Sequence, residues 1–217
     1  MSLIKAIASA AFVLAATQAN AISFTVSNGA YSSVAGVATD TFDSDATITL
    51  NLTGGAFFSA NVTGISAKPP GSAGQWWSLG TSGNQHGPGL VNLDTPASYY
   101  GFLWGSPDTY NKVSFLYDGA VVGSFTGTQV FRTASGNQGA LAGGQYVNFW
   151  AGEGEQFNQV KFISGGNAFE TDNHAVFPPP RFEIDVVQVP VPEPETYALM
   201  LAGLCAIGFM ARNRRRD

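Results

Sequence analysis

Apolar and polar residues alternate with a period of two along most of the chain beyond residue 21, as they do in half-buried β-strands. In residues 46–52 (ATITLNL), the isoleucine and both leucines fall on one face. Residues 112–117 and 120–126 predict two more strands, and the Asp118-Gly119 pair between them favours a tight hairpin turn. The same alternation predicts strands over residues 56–65, 145–150, 156–163 and 181–189.

The spacing of these strands predicts the fold class. Turn residues separate them about every 8–12 positions, and no stretch between residues 22 and 189 has a convincing helical period. We therefore predict one all-β domain over residues 22–189, a single antiparallel β-sandwich that is jelly-roll-like. Residues 71–89, which are rich in glycine and serine, are predicted to form a long loop.

The first 21 residues follow a different pattern. Lys5 precedes an apolar stretch over residues 6–16, and Ala19 and Ala21 supply the small residues of a signal-peptidase site. The apolar stretch is shorter than the roughly 20 residues that a stable membrane span needs. Residues 1–21 are therefore predicted to be a signal peptide that is removed after Ala21; the alternative is a buried N-terminal helix of a cytosolic domain.

The C-terminal residues 190–217 contain three parts in sequence. Prolines recur over residues 190–195, which disfavours a helix there. An uncharged apolar run follows over about residues 198–211, and as a helix it would rise about 21 Å against a bilayer core of about 30 Å. The run is followed by a basic cluster of Arg212, Arg214, Arg215 and Arg216. We predict a short transmembrane helix with these arginines on the cytoplasmic side and some thinning of the bilayer.

This tail resembles the PEP-CTERM sorting signal of Gram-negative bacteria, whose three letters are matched by Pro192, Glu193 and Pro194. The resemblance implies recognition by an exosortase, a membrane transpeptidase-like enzyme, which removes the tail. The protein would then be anchored transiently in the inner membrane before it reaches the cell surface or the extracellular matrix. Asn213 and Asp217 interrupt the basic cluster, and an uncleaved tail anchor is the alternative.

Charge and cysteine content narrow the function further. Residues 22–192 contain five lysines and arginines against twelve acidic residues, a net charge of −7. Nucleic-acid binding is therefore not expected, because it needs clustered cations. The only cysteine, Cys205, lies in the apolar run, so the domain has no disulfide and must rely on its core, or on its core together with bound ions.

Two polar segments are candidates for calcium binding. Residues 104–111 (WGSPDTYN) and 169–173 (FETDN) resemble parts of a recurrent exosortase-sorted surface-protein domain, a resemblance that carries no established activity. Carboxylate oxygens suit Ca²⁺, and Asp108, Glu170 and Asp172 would hold one ion if the fold brought them together. The alternatives are a turn in which Asp108 bonds its own backbone and an exposed edge strand with solvated charges.

Aromatic residues suggest a second kind of binding. Trp76 and Trp77 lie in the predicted loop, where exposed rings would stack on the apolar C–H faces of sugars. The alternative is that they fill the sandwich core. Catalytic patterns such as G-x-S-x-G and H-E-x-x-H are missing from the sequence, and its two histidines, His86 and His174, have no zinc-site spacing, so we do not expect an enzyme.

The sequence predicts an exosortase-sorted structural or interaction protein of the cell surface or extracellular matrix, associated with exopolysaccharide. The alternative is a carbohydrate-binding module, with or without calcium. A glycosidase is a further alternative, because two suitably spaced carboxyl groups suffice for that chemistry.

Overall fold

The computed structural model describes residues 22–138 and 144–177. The predicted signal peptide, the predicted strand over residues 181–189 and the predicted sorting tail with its predicted helix lie outside these ranges. Within the described ranges, none of the helices has the length and apolar character needed to cross a bilayer.

Most of the described chain is strand. The strands are β1 (Ser23–Asn28), β2 (Ala38–Asp40), β3 (Asn51–Thr53), β4 (Ala56–Phe58), β5 (Trp76–Leu79), β6 (Gly89–Ala97), β7 (Tyr99–Trp104), β8 (Asn111–Tyr117), β9 (Ala120–Thr126), β10 (Gln145–Trp150), β11 (Phe157–Ser164) and β12 (Phe169–Phe177). A four-residue helix, α1 (Gly127–Val130), follows β9, and the hydroxyl of Thr126 caps it by accepting a hydrogen bond from the backbone N–H of Gln129.

The strands form two antiparallel sheets. One has the order β1-β10-β7-β12-β5-β4, with β2 paired to β12, and the other has the order β3-β6-β11-β8-β9. Strands β5 to β12 are nested: β5 lies beside β12 in the first sheet and β6 lies beside β11 in the second. The prediction of an all-β domain with two antiparallel sheets is confirmed.

Aromatic side chains from both sheets meet in one core. The ring of Phe162 in β11 contacts Phe102 of β7, with centroids 5.1 Å apart, and Trp77 of β5, with centroids 5.5 Å apart. All three side chains are fully buried. Because each aromatic buries about 150–250 Å² of surface, such contacts supply most of the stability of a domain that has no disulfide.

The core also encloses His174 of β12. Its Nδ1 lies 2.6 Å from the hydroxyl of Tyr100, and its Nε2 lies 2.8 Å from Oγ1 of Thr171. Burial lowers the pKa of this imidazole to about 3, because a charged ring would lose its hydration. At neutral pH the ring is therefore uncharged, with both nitrogens in hydrogen bonds.

The hairpin prediction is confirmed, since β8 pairs with β9 across Asp118-Gly119. Two predicted strands are too long. Of residues 46–52, only the last two enter β3, because the backbone N–H of Leu50 donates to the carboxylate of Asp40 at 2.8 Å instead of to a strand ladder. Of residues 56–65, only β4 is strand, because Val62 and Ser66 close a tight turn.

Candidate functional site

A polar cleft of about 750 Å³ opens at one end of the sandwich, where β7 leads into β8 and β11 leads into β12. We call it the end cleft. Its lining residues come from the segments 61–67, 106–110, 135–138 and 167–170. Both polar segments singled out in the sequence, residues 104–111 and 169–173, contribute to it.

Asn111 ties the two sides of the end cleft together. Its Nδ2 donates to the carbonyl of Ser106 and to that of Ala168, each at 3.1 Å, and its Oδ1 accepts from the hydroxyl of Ser164 at 2.8 Å. The side chain is fully buried. The amide therefore holds the β7–β8 turn against the start of β12.

Glu170 forms the floor of the end cleft. The hydroxyl of Ser106 donates to its Oε2, and the backbone N–H of Ala67 donates to its Oε1 at 2.9 Å. Burial raises the pKa of this carboxyl, the two hydrogen bonds lower it in part, and the charge of Asp108 raises it further. The carboxylate is therefore held in place by segments from two sides.

Asp108 also lines the end cleft, but unlike Glu170 it is only partly buried. Burial raises the pKa of its carboxyl, while the hydroxyl of Tyr110, 2.9 Å from Oδ2, lowers it. The backbone of Gly136 passes so close that an added Cβ would lie 2.7 Å from Oδ1, and this glycine has a positive φ of 67°. Only glycine fits here without strain.

Tyr110 presents an aromatic surface to the end cleft. Its hydroxyl lies 2.7 Å from the carbonyl oxygen of Asn167, in addition to its contact with Asp108. A Cβ added at Gly166 would lie 2.9–3.2 Å from three atoms of the ring, so the glycine lets the ring lie against the backbone. The side chain remains 38% exposed. Burial and the neighbouring carboxylate of Asp108 raise the pKa of the phenol, which stays neutral.

Asn167 fixes the loop on the opposite wall. Its Oδ1 accepts from the backbone N–H of Thr81 at 2.8 Å, and its Nδ2 donates to the carbonyl of Gly64 at 2.8 Å. The segment 61–67 is thereby attached to the β11–β12 turn. The walls of the cleft are held by hydrogen bonds between segments that are distant in sequence.

The three carboxylates predicted to bind calcium do not converge. Asp108 and Glu170 line the end cleft, whereas Asp172 is not part of its lining. The charges that act on the pKa of Asp172 are those of Asp43 and Lys68, not those of Asp108 and Glu170. Among residues 22–138 and 144–177, no three acidic, histidine or cysteine side chains stand close enough to hold a metal ion. The calcium prediction is therefore wrong for this set, because Glu170 is engaged by Ser106 and Ala67 instead.

Asp172 is almost completely buried, with 1% of its surface exposed. Its Oδ1 accepts the backbone N–H of Asn173 at 2.7 Å. Burial raises the pKa of this carboxyl to about 7, and the positive charge of Lys68 lowers it only in part. Asp172 is therefore a buried acid of the scaffold that titrates near neutral pH.

The predicted exposure of Trp76 and Trp77 is wrong, because both side chains are fully buried. They belong to strand β5, which the glycine-rich flanks concealed in the sequence. Trp77 packs in the inter-sheet core and donates its Nε1–H to the carbonyl of Gly54 at 3.1 Å. Trp76 stacks on Phe58 and donates to the hydroxyl of Ser66 at 2.9 Å. Neither ring has a free face for a sugar.

Sequence reasoning placed Asp108 and Glu170 correctly in polar segments but did not identify Tyr110 as a surface residue of a cleft. The usable signal was the block WGSPDTYN at residues 104–111, which turns sharply between two strands. The role of Ser106 as a hydrogen-bond donor to Glu170 depends on β12, which lies about sixty residues further along the chain, and no local pattern reports that contact.

Comparison with known proteins identifies one segment of the chain. Residues 190–216 match the PEP-CTERM protein-sorting motif. No curated protein and no solved structure matches the chain. The matched segment contains the prolines, the apolar run and the arginines singled out in the sequence.

Proposed function

We propose that this chain, which carries a PEP-CTERM sorting motif, works outside the cell as a non-catalytic interaction protein associated with exopolysaccharide. The motif over residues 190–216 implies export, surface sorting and processing by an exosortase, and it is the observation that carries the proposal. In this account residues 1–21 are a signal peptide, and the helix predicted over about residues 198–211 holds the chain in the inner membrane only until the tail is removed.

The domain between the two ends is suited to such a role. Its net charge of −7 over residues 22–192 favours solubility once the tail is gone. Its stability comes from an aromatic core, so the fold does not depend on the redox conditions of its compartment. The end cleft offers a defined polar surface for a partner.

The environment of Glu170 supports a non-catalytic role. Both of its oxygens already accept hydrogen bonds, one from Ser106 and one from Ala67. A glycosidase needs one carboxylate free to attack the sugar or to activate water and another carboxyl free to donate a proton. Glu170 is also buried, so among the described residues Asp108 is the one accessible carboxylate that lines the end cleft, and the cleft is better suited to binding than to turnover.

Replacing Pro192, Glu193 and Pro194 with alanine should stop exosortase processing. In the host bacterium, most of the variant should remain in the membrane fraction with its tail attached, whereas the wild type should be recovered as a shorter, released form. Fractionation of the cells followed by immunoblotting measures both the location and the length of the protein.

The matched control replaces the three prolines at positions 178–180, which lie outside the motif, with alanine. This control should be processed and released like the wild type. If the motif variant were released in the shortened form as efficiently as the control, the sorting proposal would be refuted.

A further inference from the structure

We propose that the end cleft is a binding site for a neutral oligosaccharide, in which Tyr110 stacks on a sugar ring and Asp108 accepts hydrogen bonds from its hydroxyls. This inference deepens the proposed function and rests on it, because it names the partner class that the cleft would take at the cell surface. Four features of the cleft carry it: a fixed aromatic surface, an exposed apolar side chain, remaining acceptor capacity and the charge of the lining.

Tyr110 is held as a rigid, accessible ring. The hydroxyl is fixed by Asp108 and by the carbonyl of Asn167, and the ring lies against the backbone of Gly166. A side chain fixed at its tip and along its ring loses little conformational freedom when a ligand arrives, so more of the contact energy remains for binding. With 38% of its surface exposed, the ring can still contact the C–H face of a sugar.

An apolar side chain lies in the same cleft. Val62 lines it and is 40% exposed. Sugars are amphipathic, with C–H surfaces beside their hydroxyls, so a site for them combines apolar contacts with a few placed polar groups. Val62 and Tyr110 provide the apolar contacts of such a site.

Asp108 provides the acceptor oxygens. An ionised carboxylate has about four lone-pair positions, and the contact with Tyr110 uses one of them. Because Asp108 is partly shielded from water, a hydrogen bond from a sugar hydroxyl to it would be stronger than one made in bulk solvent. Hydrogen bonds to charged groups are also stronger than those between neutral groups.

The charge of the lining selects the class of sugar. Among the described residues, the lining contains two carboxylates, those of Asp108 and Glu170, and no lysine, arginine or histidine. A uronic acid or a sulfated sugar would bring a negative charge towards them without a compensating cation. The cleft volume of about 750 Å³ lies within the usual range of about 300–1,000 Å³ for small-ligand pockets. The favoured ligand is therefore a short neutral glycan segment.

The test is calorimetric titration of the purified full-length chain, kept in detergent micelles, with neutral hexasaccharides of glucose, galactose and mannose and with hexagalacturonate. At least one neutral hexasaccharide should bind, and hexagalacturonate should bind at least about tenfold more weakly. Tyr110→Ala should weaken binding by about tenfold or more, because it removes the stacking surface. Asp108→Asn, which keeps the shape of the side chain, should also weaken binding.

The matched control is Tyr31→Ala, which removes another exposed tyrosine that does not line the cleft and should leave binding unchanged. Thermal melting shows whether each variant is folded. If Tyr110→Ala fails to fold, the binding affinity of Asp108→Asn tests the inference instead. Binding of no neutral hexasaccharide, equal binding of hexagalacturonate, or unchanged binding by both folded cleft variants would each overturn the inference. None of these outcomes bears on export, which the motif variant of residues 192–194 tests separately.

Discussion

Trp104→Ala should lower the free energy of unfolding by about 3–5 kcal/mol, the usual cost of removing a large buried aromatic side chain. Trp104 is fully buried at the end of β7 and stacks on Phe169 of β12, with ring centroids 4.5 Å apart. Phe131 packs edge-on against it, with centroids 5.3 Å apart. Alanine would leave a cavity between the two strands that lead into the end cleft. Urea denaturation monitored by circular dichroism measures the change.

Trp104→Phe is the matched variant. Within the described ranges the Nε1–H of Trp104 has no hydrogen-bond acceptor, so phenylalanine keeps a stacked ring while removing a buried donor without a partner. We expect it to cost less than about half as much as alanine. Val121→Ala, at a side chain 62% exposed, should change stability by no more than about 0.5 kcal/mol. If Trp104→Ala cost no more than Val121→Ala, the aromatic core described for this domain would be incorrect.

Between pH 6.5 and pH 4, two buried groups should change the stability of the protein in opposite directions. The pKa of His174 is lowered to about 3 in the folded protein, so only the unfolded chain gains that proton in this window, and acidification destabilises. The pKa of Asp172 is raised to about 7, so the folded protein gains that proton first, and acidification stabilises. Each effect amounts to about 1.4 kcal/mol per pH unit at most.

Single variants should separate the two contributions. His174→Gln removes the destabilising proton uptake of the unfolded chain, so this variant should become relatively more stable as the pH falls from 6.5 to 4. Asp172→Asn keeps an acceptor for the N–H of Asn173, and relative to the wild type this variant should lose stability as the pH falls. Glu170 and Asp108, whose pKa values are also raised, are present in both variants and change stability in the same direction as Asp172. Urea titrations at half-unit pH steps measure how the slope of each variant differs from that of the wild type, and differences of the same sign in both variants would contradict the assignment.

Much of the fold is predictable from local pattern. Alternation together with Asp118-Gly119 predicts the β8–β9 hairpin, and the bounds of β10 agree with the predicted residues 145–150. These strands are long, half-buried and bounded by strong turn residues, so local preference and tertiary environment agree. Where the two agree, the sequence alone is sufficient to predict the strands and their bounds.

The errors occur where long-range contacts decide. Trp76 and Trp77 form the start of a four-residue strand among glycines and serines, and only the pairing of β5 with β4 and β12 makes them a strand. Residues 46–50 alternate like a strand, but the carboxylate of Asp40 takes the N–H of Leu50. Neither outcome is visible in a window of local sequence.

The end cleft was predictable only in part. Asp108 and Glu170 were identifiable as polar residues near turns, and the structure brings both to one cleft. Alternation along β12 places Glu170 and Asp172 on the same face, so it does not reveal that only Glu170 lines the cleft. The position of the Tyr110 ring depends on its contact with the backbone of Gly166, which lies more than fifty residues further along the chain.

The most direct test of the account is the intact mass of the protein recovered from the surface or medium of the host bacterium. The predicted mass is that of a chain that begins at Ile22 and lacks the apolar run and the arginines of residues 198–217. Recovery of the chain only as an uncut polypeptide of residues 1–217, soluble in the cytoplasm, would contradict the claim that a folded β-domain is exported and then separated from its membrane tail.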